Sequence, residues 1–414
     1  MTRRTLVLGP ALVGLACTQA GTDPRPQPVP VVAPDRADPS PPVTLPLAGL
    51  TSIDPAVHHS CALESGRVLC WGQNRDDSLG VGQGLPDAVT TPQPVIGLDD
   101  VGPIVQIATD YDFSCALTRD GAIYCWGSNN GHQLGLGDTD DRDRPTRVSL
   151  APASRVITAY EHGCAVEREQ RGVSCWGTGY GDVPVAVPLL ASVDQFVTPG
   201  GHSCTLTAGA MLCWGSNSGG QIGNGEGGCE YDEPLCADCR RLPERTCKQV
   251  EHPTAPLELP PIAAIAASGS YTYALDRDGG VWQWGQVGQT MSYGPKPNYR
   301  PQRVAALPPI AALSAGANHA CAHTQRGELW CWGNDSFGQL GFEAQPGESE
   351  YPQPRRVEGL PPVTAIAAGF YSTCALTGEA EQTIAWCWGD NGWGQLGDGT
   401  TERRHTPTPV RLRE

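Results

Sequence analysis

The sequence predicts an all-β chain made of seven similar repeats, each with about four short β segments. Three observations lead to this fold class. Glycine (51) and proline (38) together exceed a fifth of the 414 residues, which suits short strands joined by tight turns. A motif with two cysteines that ends in Trp-Gly recurs along the chain. Units of this size cannot bury a face alone, so a closed or stacked repeat architecture is expected.

The overall charge argues against one class of partner. The formal net charge is -16 at pH 7, and only 17% of the residues are charged. No run of lysine or arginine extends beyond pairs such as Arg403 and Arg404. Because this net charge repels phosphate backbones, no nucleic-acid partner is expected.

The N-terminus predicts export. Residues 1–17 hold a basic start, MTRR, then a twelve-residue mostly apolar stretch, TLVLGPALVGLA, and then Cys17. This arrangement resembles a bacterial lipoprotein signal, which implies that Cys17 is lipidated and anchors the chain to the membrane. Gly14 replaces the usual leucine of that signal, so an ordinary signal peptide cut after Ala20 is the alternative. The predicted location is the outer membrane, its periplasmic face or the cell surface.

A proline-rich segment follows over residues 18–46, with nine prolines after Gly21. Such a composition favours extended polyproline conformations and does not bury a core. We therefore expect a stiff tether between the anchored end and the repeats, which occupy residues 47–414.

Seven copies of the cysteine motif define the repeats. They begin at residues 61, 115, 164, 204, 273, 321 and 374, about 40 to 54 residues apart except for one step of 69. Most copies continue into a turn with Gln-Leu-Gly or Gln-Ile-Gly, as in GDNGWGQLGDG at 389–399. A proline-containing strand start such as PTRV at 145 follows, and small-residue runs such as PPIAALSAGAN lead into the next copy.

The two cysteines of each copy are predicted to form a disulfide. In CALTRDGAIYC, Gly121 suits the positive φ of a three-residue bulged turn, so Cys115 and Cys125 face each other on antiparallel strands. Directly opposed residues lie within the Cα range of a disulfide. The same argument pairs Cys61 with Cys70, Cys164 with Cys175, Cys204 with Cys213, Cys321 with Cys331 and Cys374 with Cys387. In the fifth copy Tyr273 and Gln283 replace both cysteines together, as bonded partners predict.

The repeat as a whole resembles the regulator of chromosome condensation repeat family. The shared pattern is an Ile-Ala-Ala-Gly-type strand, Ala-Leu, a glycine turn, Trp-Gly-x-Asn and Gly-Gln-Leu-Gly, and it covers about residues 50 to 410. The resemblance implies a seven-bladed β-propeller. Together with the four β segments of each repeat and the paired cysteines, it predicts about four-stranded blades with disulfide-stapled hairpins. Repeat three, with GTGYGD, and repeat five, with GQVGQTMSYG, depart from the Gln-Leu-Gly half.

Ring closure is predicted from the phase of the repeats. Each Pro-x-x-Val segment leads into a following repeat, except PTPVRL at 407–412, which is last. We expect this segment to pair with the first blade, because closure removes exposed sheet edges. PPVT at 41–44 is the rival for that place.

Residues 226–252 form a cysteine-rich insertion that carries Cys229, Cys236, Cys239 and Cys247. Two disulfides are favoured over zinc because only the middle two cysteines have zinc-like spacing, and three connectivities are open. A charged loop on a scaffold suits partner binding, although a passive surface insertion is the alternative. The candidate binding residues are Tyr231, Arg240 and Arg241 in the insertion and Trp393 outside it.

Neither a metal nor a cofactor is expected. A histidine stands two residues before the first cysteine in four repeats: His59, His162, His202 and His319. Aromatic residues and serine fill the same position elsewhere, which favours packing or hydrogen bonding over metal ligation. DTDDRDRP at 138–145 lacks the glycine and final glutamate of a known calcium loop and is interpreted as a solvated turn. No catalytic residue is assigned, since no serine elbow, HExxH or Walker-type loop occurs.

The resemblance implies protein recognition. Eukaryotic founders of the family bind chromatin and promote guanine-nucleotide exchange on a small GTPase, and a secreted bacterial relative inhibits β-lactamases. This chain has no basic tail and no stretch matching the exchange wedge, so exchange is the least expected activity. The predicted function is a monomeric, lipid-anchored scaffold that recognises a protein or envelope component. The alternative is an enzyme or carbohydrate-binding protein at the channel mouth, near His132, Asp138 and Trp393.

Overall fold

A computed structural model describes residues 50–82, 84–188, 190–231, 245–286, 298–379 and 382–411, without the side chains of 229–231 and 245–247. These residues all belong to one compact unit within residues 44–414. The predicted signal peptide with Cys17 and the predicted tether over 18–46 lie outside the described residues and stay predictions. No helix in the described part of the chain is long and apolar enough to cross a membrane.

The described strands form seven four-stranded antiparallel sheets, one for each repeat. Blade 1 consists of β1 Leu50–Pro55, β2 His59–Glu64, β3 Arg67–Gln73 and β4 Ala88–Pro94. Blade 2 consists of β5 Ile104–Asp110, β6 Phe113–Thr118, β7 Ile123–Gly127 and β8 Arg142–Arg147. Blade 3 consists of β9 Ala153–Ala159, β10 His162–Glu167, β11 Val173–Gly177 and β12 Gly181–Ala186. A 3-10 helix, η1, spans Arg75–Asp77. Blade 3 thus keeps its fourth strand although its repeat lacks Gln-Leu-Gly.

Blade 4 contains the insertion and blades 5 to 7 complete the ring. Blade 4 consists of β13 Gln195–Val197, β14 His202–Thr207, β15 Ala210–Ser216 and β18 Gln249–Thr254, with β16 Cys229–Tyr231 and β17 Arg245–Cys247 as a separate two-stranded sheet. Blade 5 consists of β19 Ile262–Ser268, β20 Tyr271–Asp276, β21 Val281–Gly285 and β22 Asn298–Arg303. Blade 6 consists of β23 Ile310–Ala315, β24 His319–Thr324, β25 Leu329–Asn334 and β26 Glu350–Arg356. Blade 7 consists of β27 Val363–Ala368, β28 Ser372–Thr377, β29 Ile384–Gly389 and β30 Arg404–Pro409. The prediction of an all-β, seven-bladed propeller is confirmed.

Disulfides staple the hairpins between the second and third strands of six blades. The register places Cys115 directly opposite Cys125, and their Cα atoms lie 4.1 Å apart. The other five disulfides join the cysteine pairs that the spacing predicts: Cys61–Cys70, Cys164–Cys175, Cys204–Cys213, Cys321–Cys331 and Cys374–Cys387. All twelve cysteines are fully buried. The staples therefore lie inside the core.

Tryptophans fill the spaces between blades. Six of the Trp-Gly tryptophans have no exposed surface: Trp71, Trp126, Trp176, Trp284, Trp332 and Trp388. The glycine after each allows a sharp bend of the third strand. Gly127, for example, has φ 103°, and a Cβ there would clash with the carbonyl oxygen of Asp112. A side chain at this position would therefore push the third strand away from the second.

The predicted pairing of the last segment with the first blade is wrong. β30 pairs with β29 of its own blade, with Pro409 opposite Trp386. Blade 1 has four strands from residues 50–94, and the rival segment 41–44 lies outside the described residues. The ring closes through hydrogen bonds to the blade 7 loop instead: Trp71 Nε1 and Ser60 Oγ donate to the carbonyl oxygen of Gln395 at 2.9 and 2.8 Å. The Gly399 N–H of the same loop donates to the carbonyl oxygen of Thr90 in β4 at 3.0 Å. The Pro-x-x-Val segment is therefore the fourth strand of its own repeat.

Candidate functional site

One face of the propeller, here called the upper face, gathers most of the unusual side chains. It carries the turns between first and second strands and the loops between third and fourth strands, because these connections leave an antiparallel sheet at the same end. The insertion joins β15 to β18 and so leaves from this face as well. Its short sheet places the backbone of Cys229 opposite that of Cys247.

A channel opens on this face. It has a volume of about 680 Å³ and is lined by the first strands of all seven blades. Asp54 Oδ2 accepts the backbone N–H of Thr109 at 2.7 Å, and Asp110 Oδ2 accepts that of Tyr160 at 3.0 Å. Burial raises the pKa of Asp54 to about 7 and that of Asp110 to about 6. These two carboxyls link blade 1 to blade 2 and blade 2 to blade 3.

An aromatic rim borders the channel mouth over four neighbouring blades. It consists of Trp393 from blade 7, His58 from blade 1, Tyr111 from blade 2 and Tyr160 from blade 3. Ring centroids lie 6.5 Å apart for Trp393 and His58, 5.9 Å for His58 and Tyr111, and 5.0 Å for Tyr111 and Tyr160. Trp393 is 38% exposed and Tyr160 49%. His58 and Tyr111 between them are half-buried. Two exposed aromatic rings joined by a continuous row of ring contacts suit a binding surface.

The backbone of the rim is strained. Tyr111 has φ 36° and Tyr160 has φ 44°, in the left-handed region that bulky residues rarely adopt. Such a conformation costs on the order of 1 kcal/mol or more at each residue and is commonest at functional sites. The same turn in blade 4 uses Gly200, with φ 108°, which adopts this region without strain.

An acidic sector adjoins the rim on blades 1 and 2. It consists of Asp76 and Asp77 in η1 with Asp112 and Asp141 of blade 2. Burial, followed by the carboxylates of Asp141 and Asp112, raises the pKa of Asp76 above its ordinary value. Burial also raises the pKa of Asp77, with the carboxylates of Asp143 and Asp141 contributing. The carboxylates are therefore close enough to repel one another.

The repeated histidines bond to the next blade. Each Nε2 lies within hydrogen-bond distance of a hydroxyl: His59 with Ser114 at 2.9 Å, His162 with Thr198 at 3.1 Å, His202 with Thr272 at 2.8 Å and His319 with Thr373 at 2.8 Å. Burial lowers the pKa of His59, His162 and His202 to about 4 and that of His319 to about 3. These neutral rings therefore connect neighbouring blades rather than gather around one metal.

A shared carbonyl completes this contact. Thr272 Oγ1 donates to the carbonyl oxygen of Gln221 in the blade 4 Gln-Ile-Gly loop at 2.7 Å, and Trp284 Nε1 donates to the same oxygen at 2.9 Å. Because the threonine proton goes to the carbonyl, His202 donates its Nε2–H to the hydroxyl oxygen. The regular spacing of the histidine, the tryptophan and the Gln-Ile-Gly loop thus brings their side chains and carbonyls together at the junction between two blades.

The sequence-predicted candidates fall in three places. Trp393 lies in the aromatic rim. Cys236, Cys239, Arg240 and Arg241 lie outside the described residues, as does the side chain of Tyr231. Asp138, from the segment interpreted as a solvated turn, is paired with Arg142 at 2.6 Å. Sequence reasoning missed Tyr111 and Tyr160, although a tyrosine followed by an acid in the turn before each motif was a signal.

These features define a disulfide-stapled, seven-bladed β-propeller with an aromatic and acidic upper face. Two models described as "Regulator of chromosome condensation (RCC1) repeat" match it, one over residues 65–117, 120–166, 326–376 and 384–414 and one over 104–133, 310–339 and 363–395. Together they cover half of the chain. The chain belongs to this repeat family.

Curated relatives are much longer proteins that this chain matches over a small part of their length. Human "Probable E3 ubiquitin-protein ligase HERC3" is 37% identical over 124 residues, which cover 29% of this chain and 12% of that protein. Human "E3 ubiquitin-protein ligase HERC2" is 26% identical over 374 residues, covering 84% of this chain and 7% of that protein. The chain thus spans a small part of the length of these relatives.

Solved propellers share the fold. Human WBSCR16 superposes with a TM-score of 0.67 and 20% identity over 84% of this chain and 94% of that chain. Yeast RCC1 (Prp20), in its complex with Kap60, superposes with a TM-score of 0.65 and 19% identity over 86% of this chain and 85% of that chain. These similarities show the fold alone.

Proposed function

We propose that this chain is an exported, lipid-anchored propeller that recognises another protein or component of the bacterial envelope. The observation that carries the proposal is the exposed aromatic rim, held by four blades on the upper face. Aromatic side chains of this kind are enriched in protein interfaces because they bury much surface for little lost freedom. Recognition by a fixed surface needs a stable ring, which the six staples favour.

The disulfides also support the proposed location. Six bonded cysteine pairs are consistent with an extracellular location, since such bonds persist in oxidising compartments. Lipidation at Cys17 is tested by changing Cys17→Ser and separating membranes from soluble fractions. We expect the wild type with the membranes and the variant in the soluble fraction. A mature wild-type chain that begins at Gly21 and carries no lipid contradicts the anchor while leaving export intact.

The activities of the named relatives are not part of this proposal. The HERC ligases are far longer than this chain, and the matched segments cover 12% of HERC3 and 7% of HERC2. For the exchange activity implied by the resemblance, the negative net charge remains unfavourable. Protein recognition can reside in loops held by a rigid scaffold, such as those of the upper face of this propeller.

Recognition is tested by crosslinking intact cells that produce the full chain, then capturing and identifying attached proteins by mass spectrometry. The matched variant replaces residues 228–248 by a short Gly-Ser linker. We expect one enriched protein with the full chain. If the linker variant loses that protein, the insertion takes part in binding; if it keeps the protein, the rest of the upper face is sufficient. Absence of any enriched protein with the full chain contradicts the proposal.

A second candidate is carbohydrate binding at the channel mouth. Tyr160 and Trp393 provide exposed rings, and Asp54 and Asp110 provide carboxyls inside the channel. Sugars stack on such rings and accept hydrogen bonds from protonated carboxyls. Calorimetric titration with soluble fragments of cell-wall polysaccharide tests this candidate, which a lack of heat change at millimolar fragment would exclude.

A further inference from the structure

The rim and the acidic sector together leave negative charge without a basic partner. Among the described residues, no lysine or arginine nitrogen lies within 4 Å of the carboxylates of Asp77, Asp112 or Asp141. Asp112 pairs with the imidazole of His58, whose Nδ1 lies 3.8 Å from its Oδ1. Asp76 meets Arg75 at 3.8 Å, and that arginine side chain is 70% exposed. The sector therefore carries a local excess of negative charge.

Another part of the upper face shows how such groups bind a guanidinium. The Arg403 guanidinium carbon lies 4.5 Å from the centre of the Phe337 ring, and its Nε lies 3.3 Å from Asp390 Oδ1. Phe337 in turn stacks on Tyr371 at 4.5 Å. One arginine of the chain is thus held between an aromatic ring and a carboxylate at blades 6 and 7. Planar guanidinium groups favour this arrangement more than the ammonium of lysine does.

The rim and the acidic sector repeat these partners without the arginine. The exposed rings are Trp393 and Tyr160, and the carboxylates are Asp77 and Asp112. The centroid separations of 6.5, 5.9 and 5.0 Å allow the rim to extend over at most about 17 Å. An extended peptide of about five residues covers that length.

We propose that this surface binds an arginine-bearing segment of a partner protein. Guanidinium groups stack on Trp393 and Tyr160 and pair with Asp77 and Asp112. The inference rests on the proposed recognition function and names the chemistry of its partner. A segment satisfies the surface better than a single small cation, because the two exposed rings lie at opposite ends of the rim.

The test uses purified full-length protein and a fluorescein-labelled peptide of three Arg-Gly pairs, followed by fluorescence anisotropy. Tyr160→Ser/Trp393→Ser is expected to weaken binding about tenfold, since each lost cation–π contact is worth about 0.5 to 1 kcal/mol. Asp77→Asn/Asp112→Asn is expected to weaken it about fivefold, with less dependence on salt. A peptide with lysine in place of arginine should bind more weakly than the arginine peptide.

Matched variants separate this surface from general attraction to an acidic protein. Asp99→Asn/Asp100→Asn removes the same charge from an exposed loop that leaves the opposite face between β4 and β5. Ile96→Ser/Val185→Ser removes two side chains exposed to 42% and 48% away from the rim. Both controls should bind like the wild type. Thermal midpoints of all variants check that they are folded.

Equal loss of binding in the rim variants and their controls overturns the inference, as does equal affinity for the lysine peptide. If crosslinking still captures a protein, the proposed recognition function stands even when either of these peptide results overturns the inference. Conversely, the peptide titration reports on the surface even when the crosslinking experiment captures nothing. A captured partner that survives both rim variants also overturns the inference while supporting recognition elsewhere on the propeller.

Discussion

Single buried histidines make the stability of the ring depend on pH. His202 is 2% exposed and donates to Thr272 of the next blade. An ordinary histidine titrates near pH 6.5, whereas burial lowers the pKa of His202 to about 4 in the folded chain. Between these pH values the unfolded chain binds the proton and the folded chain does not. The free energy of unfolding contributed by this residue therefore falls as the pH drops from about 6.5 to about 4.

We predict that His202→Asn flattens this pH dependence. Between pH 6.5 and pH 4, one such histidine changes the free energy of unfolding by on the order of 3 kcal/mol, because each pKa unit corresponds to about 1.4 kcal/mol. Urea unfolding at pH 7 and pH 4.5 measures it, with the exposed His252→Asn as control. Asp54 and Asp110, whose pKa values are raised, act in the opposite direction in every variant and cancel from the comparison. Equal slopes for wild type and His202→Asn would refute the prediction.

The rim tyrosines illustrate what residue patterns leave undetermined. Tyr111 and Tyr160 stand 49 residues apart in the sequence, and their ring contact at 5.0 Å arises only because blades 2 and 3 are neighbours. The cysteine pairs could be predicted because both partners belong to one hairpin. A contact between hairpins depends on how two sheets pack, which local spacing does not encode.

Blade 5 shows how an element adapts to the loss of two features at once. Its repeat lacks both the cysteine pair and the Gln-Leu-Gly half. At the junction with blade 6, Gln283 Oε1 accepts the Trp332 Nε1–H at 3.2 Å. At four other junctions the equivalent tryptophan donates to a loop carbonyl oxygen instead. Tyr273 contacts the same tryptophan edge to face, with centroids 6.1 Å apart. The residues that replace the disulfide therefore also replace the missing acceptor.

We predict that Gln283→Leu lowers the free energy of unfolding by about 1 to 3 kcal/mol, because it leaves the buried Trp332 N–H without an acceptor. Chemical unfolding followed by fluorescence measures the loss. Gln283→Leu/Trp332→Phe removes donor and acceptor together and should cost less than the two single changes added. Strict additivity of the two changes would show that no coupling exists across this junction.

At the scale of the whole molecule, the closed ring shields the buried disulfides from reductants, and the disulfides stabilise the blades that form the ring. The twelve bonded cysteines of the described hairpins have no exposed surface, so a reductant reaches them only after a blade opens. The hydrogen bonds to the Gln395 carbonyl oxygen join the last blade to the first in the same way as loop carbonyls join other neighbouring blades. If that junction opens, the facing surfaces of blades 7 and 1 become exposed to solvent together.

We predict that the folded protein resists reduction. In native buffer, reduction of the six hairpin disulfides should be at least about 100-fold slower than in concentrated guanidinium chloride, since it waits for opening. Thiol alkylation and mass spectrometry of the peptides measure the rate at each pair. Oxidised glutathione in the same tube checks that the reductant is active. Rapid native reduction of any hairpin pair would mean that its blade opens independently of the ring.

The sequence by itself determined the repeat number, the presence of about four strands in each repeat and the six cysteine pairs. Each of these depends on residues within one repeat, where turn geometry and alternation constrain the chain locally. It also supplied Trp393 as a candidate binding residue, because that side chain stood outside the repeating pattern.

Only the tertiary structure decided which strand the last segment joins and which turns share the channel mouth. The sequence predicts that PTPVRL crosses to the first blade, yet β30 stays on β29, because hydrogen bonds to the blade 7 loop rather than a shared sheet close this ring. The rim and the acidic sector join residues of four blades that are distant in sequence. Their juxtaposition follows from the packing of whole blades around the channel, which no single repeat specifies.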